Sequence, residues 1–203
     1  MAISTYTELI ASVANWAHRS DLDALMPDFV TMAESRISRD LRLRQQITSA
    51  SLSATAGVQS VAIPADWLEF ENLSVVANPD RNLVYVPVEH IDSAYSSASV
   101  GIPAVYTIEG GNILLAPTPS ANYQVDVIYY ARFPSLLTNS SNWLLTNHPN
   151  IFLFACLIEA YYFIQDEKMI SLFTQRYNEG LQQLQEQDER ASHSGSALRV
   201  KVI

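Results

Sequence analysis

The residue types able to do chemistry are few in this sequence, and they are dispersed. Carboxylates stand in three short groups: Glu69 with Glu71, Asp166 with Glu167, and Glu186 with Asp188 and Glu189. Two carboxylates facing each other across a cleft, with separated pKa values, make the acid and base of a glycosidase. Nothing in the spacing sets any of these groups across a cleft, and the last lies on the polar face of a helix-patterned segment. Glu159 stands apart because the stretch 151–164 around it is otherwise apolar. Such an acid is either a paired, buried structural carboxylate, a residue on a lightly exposed edge, or a group tuned for proton transfer. Cys156 is the single cysteine, so the chain forms no internal disulfide. A nucleophilic role would need a histidine partner and an electropositive setting, and inside an apolar helix the thiol reads as a small hydrophobe. His18, His90, His148 and His193 show no metal-ligand spacing. There is no glycine-rich phosphate loop and no G-x-S-x-G elbow. No catalytic, cofactor-binding or metal-binding residue is therefore expected, and the chain does not read as an enzyme.

Basic residues concentrate in one place, Arg36, Arg39, Arg42 and Arg44. Cations near a helix C-terminus complement the helix dipole. Beyond that, the four either form a solvated or internally paired face around Glu34 and Asp40, or make a contact patch for another molecule. The whole chain carries a net charge of −9. That argues against a protein that grips nucleic acid through phosphate neutralisation, and leaves open one that lets nucleic acid slide past. With 203 residues, 48% hydrophobic and 16% charged, the chain has material for one folded domain with a real core, or two small ones. No apolar run is long enough to span a bilayer. The N-terminus lacks the pattern of a signal peptide, so the chain is expected to start at or near Met1, in the cytosol where it is made.

The elements that would carry these residues follow from periodicity. Thr5 followed by Glu8 predicts a capping box, and Tyr6, Leu9, Ile10, Val13 and Trp16 an apolar stripe. Pro27 opens a second helix with Phe29, Val30, Ala33, Ile37 and Leu41 on one face. From Ile47 to Ala131 the pattern is extended, apart from a short helix after Pro87. Gly110-Gly111 predicts a hairpin, and 123–130 alternates between an inner and an outer face. The region reads as an antiparallel meander of about five or six strands. The strongest helical signal is 143–190. Pro149 fits a first turn, 151–164 is apolar nearly all round, and Ile170, Phe173, Tyr177, Leu181 and Leu184 make an amphipathic stripe. Asp166 interrupts the run, which predicts two helices with a sharp break. The fold class is α+β: a helical bundle formed by N- and C-terminal helices with an inserted antiparallel β region. The expected divisions are 1–46 and 136–191 for the bundle, 47–135 for the insertion and 192–203 for a flexible arm. In that arm Leu198, Val200 and Val202 alternate with Arg199 and Lys201, a strand pattern able to add to a sheet on another chain.

Taken in order, four pieces resemble the head–tail adaptor proteins of tailed bacteriophages, particularly those of short-tailed phages. They are the opening YTELIASVANWAHRSDLDALMPDFVTMAESRISRDLRLR, the corner IPADWLEFENL, the block GIPAVYTIEGGNILLAPTPSANYQVDVIYYARFPSL and the final WLLTNHPNIFLFACLIEAYYFIQDEKMISLFTQRYNEGLQQL. The resemblance implies a structural virion protein at the capsid–tail junction, synthesised and assembled in the host cytoplasm. It implies a ring, commonly of twelve copies, beneath the portal protein. Such a ring docks tail or nozzle proteins and extends the channel through which DNA passes, without specific binding, up to genome ejection. Neither a cofactor nor a membrane is implied. Leu198, Arg199, Val200, Lys201, Val202 and Ile203 become the candidate portal-binding residues. Arg36, Arg39, Arg42 and Arg44 become candidates for contact with a neighbouring subunit, the portal or DNA. The alternative function is a virion-associated cell-wall hydrolase, with Glu159 and Glu34 as the acids to test.

Overall fold

The computed structural model describes residues 3–19, 21–95 and 99–193. In chain order the helices are α1 (Tyr6–Ala17), α2 (Met26–Asp40), α3 (Val88–Ala94), α4 (Trp143–Asn147), α5 (Pro149–Ile164) and α6 (Glu167–His193). The strands are β1 (Ile47–Ala54), β2 (Ser60–Ala62), β3 (Trp67–Val76), β4 (Arg81–Asn82) and β5 (Val84–Tyr85). They continue with β6 (Val100–Gly101), β7 (Val105–Glu109), β8 (Asn112–Ala116), β9 (Thr118–Pro119) and β10 (Tyr123–Ala131). The chain is α+β, and it divides into a helical unit (1–44 with 133–203) and a β unit (45–132).

In the helical unit, local chemistry sets the helix ends. Thr5 accepts from the Glu8 amide while the Glu8 carboxylate takes the Ser4 and Thr5 amides, so orphan donors of the first turn are satisfied from both sides. Those donors hold the Glu8 carboxyl below its ordinary range. Helix α1 stops where His18 turns left-handed at φ 51°. Asn142 caps α4 by accepting from the Leu145 amide. Pro149 occupies the first turn of α5, where no amide is needed. Gln165, left-handed at φ 64°, ends α5, and Asp166 caps α6 through the Met169 amide. The break therefore takes two residues, one that stops a helix and one that starts the next.

Helix α5 is the hub of this unit, packing against α1, α2, α4 and α6. Nine of its residues are buried, among them Phe152, Cys156 and Ile158, which is why its sequence lacks a polar face. Leu9 and Val13 from α1, Phe29 and Ile37 from α2, and Phe173, Tyr177, Leu181 and Leu184 from α6 complete the core. Each fully buried large apolar side chain is worth about 1.5–3 kcal/mol relative to exposure. Trp16, expected on the α1 stripe, stands at its edge and is 45% exposed, with Ala17 buried in its stead.

The β unit differs from the expected meander. One sheet has the order β1-β10-β3-β4 and another β2-β8-β7-β5, while β6 and β9 form a separate pair. The last long strand, β10, returns to lie between β1 and β3, antiparallel to both. Two short pairings, β5 with β7 and β6 with β9, are parallel. The predicted hairpin is present: Glu109 pairs with Asn112 across Gly110 and Gly111, both at positive φ as a two-residue turn demands. Val125, Val127 and Tyr129 face inward from β10 and pack with Leu73, Val75, Ile113 and Leu115. The Tyr129 hydroxyl donates to Asp66, and burial followed by that carboxylate pushes its pKa up.

Candidate interaction surface

The helical unit gathers the chemistry-bearing residues into cross-helix ties. Arg36 on α2 reaches Glu159 on α5, with Nε at 2.9 Å and Nη2 at 2.6 Å from the same carboxylate oxygen. Glu159 is thus a paired, mostly buried acid. Glu34 accepts the Leu136 amide at 2.6 Å and the Ser135 hydroxyl at 2.8 Å, fixing the chain as it enters the last third. Asp40 accepts the Tyr177 hydroxyl at 3.0 Å. Burial first, and then the Asp40 charge, drive the Tyr177 phenol well above its ordinary pKa. Glu34 and Asp40, around which an internally paired arginine face is one of the two readings of the sequence, accept hydrogen bonds from other groups. Their partners come from Ser135 and Leu136, 101 and 102 residues on from Glu34, and from Tyr177 of α6, 137 residues on from Asp40.

The other three arginines of the basic stretch part company. Arg42 turns back to donate to the Ser38 and Leu41 carbonyls, closing the end of α2. Arg44 pairs with Asp188 of α6 at 3.0 Å, and its amide donates to the same carboxylate. Arg39 is exposed and has no ion-pair partner among the described residues. Cys156 is fully buried, and burial, then Glu34 and Glu159, hold its thiol in the protonated state. Among the described residues no three of His, Cys, Asp and Glu converge as a metal site requires. No helix among them is long and apolar enough to cross a membrane. The six candidate portal-binding residues, Leu198 to Ile203, lie outside the described residues.

Two exposed aromatic faces escaped the helical periodicities. On one, Phe163 near the end of α5 is 59% exposed, with its ring 6.0 Å from Phe29 of α2. Tyr162 beside it and Met32 of α2 are exposed too. Phe29 meets Phe163 while Arg36 meets Glu159, so α2 and α5 run antiparallel here and Met32 falls between the two contacts. The other face is built from α1, α5 and α6. Trp16 lies 6.0 Å from Phe154 and 6.2 Å from Phe173, Leu172 is exposed, and the Arg176 guanidinium sits 6.0 Å over the Phe154 ring. Beside them runs a groove of about 370 Å³ lined by Asn150, Phe154, Leu172, Glu179, Gly180 and Gln183, among others. A large side chain exposed singly is ordinary, but aromatic residues clustered around charge mark a contact surface.

A family model described as SU10 adaptor protein matches residues 4–201. The chain belongs to the SU10 adaptor protein family. No curated protein matches it. The match spans both units, so the insertion is part of the adaptor and not an appended module. The adaptor is a bacteriophage structural protein of the head–tail junction, which implies contact with portal and tail components. That role is played through contact surfaces. In the helical unit Arg36 with Glu159, Arg44 with Asp188 and Tyr177 with Asp40 tie together segments distant in sequence.

Proposed function

We propose that the adaptor forms a ring, of twelve copies, beneath the portal, joining capsid to tail and extending the channel through which the genome passes. The observation that carries this reading is the family match across residues 4–201. The chemistry of the chain supports it. A net charge of −9 repels phosphate, so DNA traverses such a ring without sticking. The outward side of α6 carries Gln175, Glu179, Gln182 and Glu186, with glutamines donating to glutamates one turn on. It is a polar, mildly acidic surface fitted to face a channel or a neighbour.

On this reading the segment 198–203 contacts the portal, adding its alternating apolar and basic residues to a portal sheet edge. Of the four arginines, Arg39 is the one left for an external contact. The adaptor works by assembly and not by catalysis, docking tail or nozzle proteins on its far side, and it is built into the virion in the host cytoplasm. The test is electron microscopy of the full chain mixed with portal rings of the same virion. A second ring stacked on the portal is expected. A chain that stays monomeric and fails to co-sediment with portal rings refutes the proposal.

A further inference from the structure

We infer that the two aromatic faces of the helical unit mate head to tail between adjacent copies, the α2–α5 face of one seating against the α1–α5–α6 groove of the next. The inference rests on the ring reading above and names the surfaces that would build it. Both faces belong to one helix. Phe154 and Phe163 are about two and a half turns apart on α5, which places them on opposite sides of it. One rigid helix therefore presents an aromatic face in each direction, the arrangement that a head-to-tail contact needs.

Charge decides which face meets which. Arg39 lies two turns along α2 from Met32, on the same side of the helix, and is exposed without an ion-pair partner among the described residues. Glu179 lines the opposite groove, hydrogen-bonded only to Gln175 and likewise without an ion-pair partner among the described residues. Pairing the α2–α5 face with its own copy would bring arginine to arginine. Pairing the groove with its own copy would set Glu179 and Arg176 against the same two residues and leave Arg39 without a counter-charge. Only the crossed pairing sets Arg39 against Glu179 while Met32, Tyr162 and Phe163 cover Trp16 and Leu172. Only the crossed contact gives Arg39 a counter-charge, which favours a cyclic, heterologous arrangement over a two-fold one. The covered rings are amphipathic anchors of the kind that dominate interface energetics.

The experiment uses the full chain on portal rings of the same virion, with copies per ring counted by electron microscopy against adaptor concentration. R39E and E179R are each expected to raise the half-filling concentration by about tenfold. The R39E/E179R double variant should return to within about threefold of wild type, since the pair is restored with its polarity reversed. Both sites are exposed, and circular dichroism verifies folding. A second measurement mixes copies carrying Y162C with copies carrying L172C on the portal ring under oxidation. Disulfide-linked pairs are expected between the two variants and not within either, Cys156 being buried and inert. Single variants that fill rings like wild type, or a double variant no better than the singles, overturn the assignment of faces while the ring itself stands. Absence of a disulfide in filled rings does the same. A wild-type chain that never forms a ring removes the ring reading, and this inference with it.

Discussion

Removing Arg36 from its pair with Glu159 strikes the tie between α2 and the hub helix. The two side chains are 23% and 12% exposed. An exposed ion pair contributes about 0–1 kcal/mol, whereas stripping one partner from a fully buried pair costs about 3–5 kcal/mol. The Arg36–Glu159 contact lies between these limits and nearer the buried one, because the carboxylate left behind is the less exposed partner. Arg36→Met keeps most of the aliphatic stem and should cost about 2 kcal/mol. Glu159→Gln retains an acceptor and should cost about 1 kcal/mol. The double variant Arg36→Met/Glu159→Leu removes both charges together and should return to within about 1 kcal/mol of wild type. Urea unfolding followed by far-ultraviolet circular dichroism measures this through the midpoint at constant slope. A cost below about 0.5 kcal/mol for Arg36→Met would show a solvated pair. A double variant as unstable as the sum of the singles would refute the coupling itself.

Four further outcomes are expected. Tyr177→Phe should lose about 1.5 kcal/mol in the same unfolding experiment, the worth of a hydrogen bond to a charged acceptor. Because the folded Tyr177 pKa is raised, its contribution is complete below the ordinary phenol range and falls as pH climbs above about 10, so the advantage of wild type over Tyr177→Phe should shrink there and then reverse. At Gly180 of α6 an added methyl would press on the Asn150 amide nitrogen at 3.1 Å, the end of an exposed side chain, and make ordinary contact with Ile151 Cγ1 at 3.7 Å. Gly180→Ala should therefore raise stability by about 0.5 kcal/mol through helix propensity, and a loss of midpoint would mean that Asn150 is fixed. Leu73→Ala, in the core of the β unit, should cost about 3 kcal/mol by denaturant titration. Deleting residues 194–203 should leave the far-ultraviolet spectrum intact while sharply weakening co-sedimentation with portal rings; unfolding instead would make the tail part of the adaptor's own fold.

The parts of the fold that local chemistry dictates are legible in the chain. Thr5 with Glu8, Pro149 and Gly110-Gly111 each specify their geometry within a few residues, and the inward set Val125, Val127 and Tyr129 follows from a period of two. The break after Ile164 is legible at Asp166, but half of it rests on Gln165, whose left-handed backbone no residue preference announces. Sheet order is not legible, because β10 pairs with strands laid down some fifty to eighty residues earlier. Strands of two residues, such as β4, β5, β6 and β9, are shorter than any period that could reveal them. The site residues follow the same division. Four arginines in one stretch are visible as a basic cluster, yet the acids that claim Arg36 and Arg44 lie 123 and 144 residues away. The exposed rings of Phe163 and Tyr162 vanish into a run that is apolar all round. Only packing reveals which side of α5 is left bare.

The pairing of Ile47 with Tyr130 has a consequence for how the two units depend on each other. Antiparallel partners are about 5 Å apart, so the β unit, once folded, delivers its two chain ends side by side. To the helices, the whole of 45–132 then amounts to a link of a few residues, and the entropy of closing it is that of a short loop. The helical unit should tolerate replacement of the insertion by a brief glycine–serine bridge. Conversely, the β unit, contiguous in sequence, is free to fold as soon as residue 131 leaves the ribosome, while α1 and α2 wait for α5, the hub against which they pack. The β unit can be exchanged for another domain with adjacent ends without redesigning the helices.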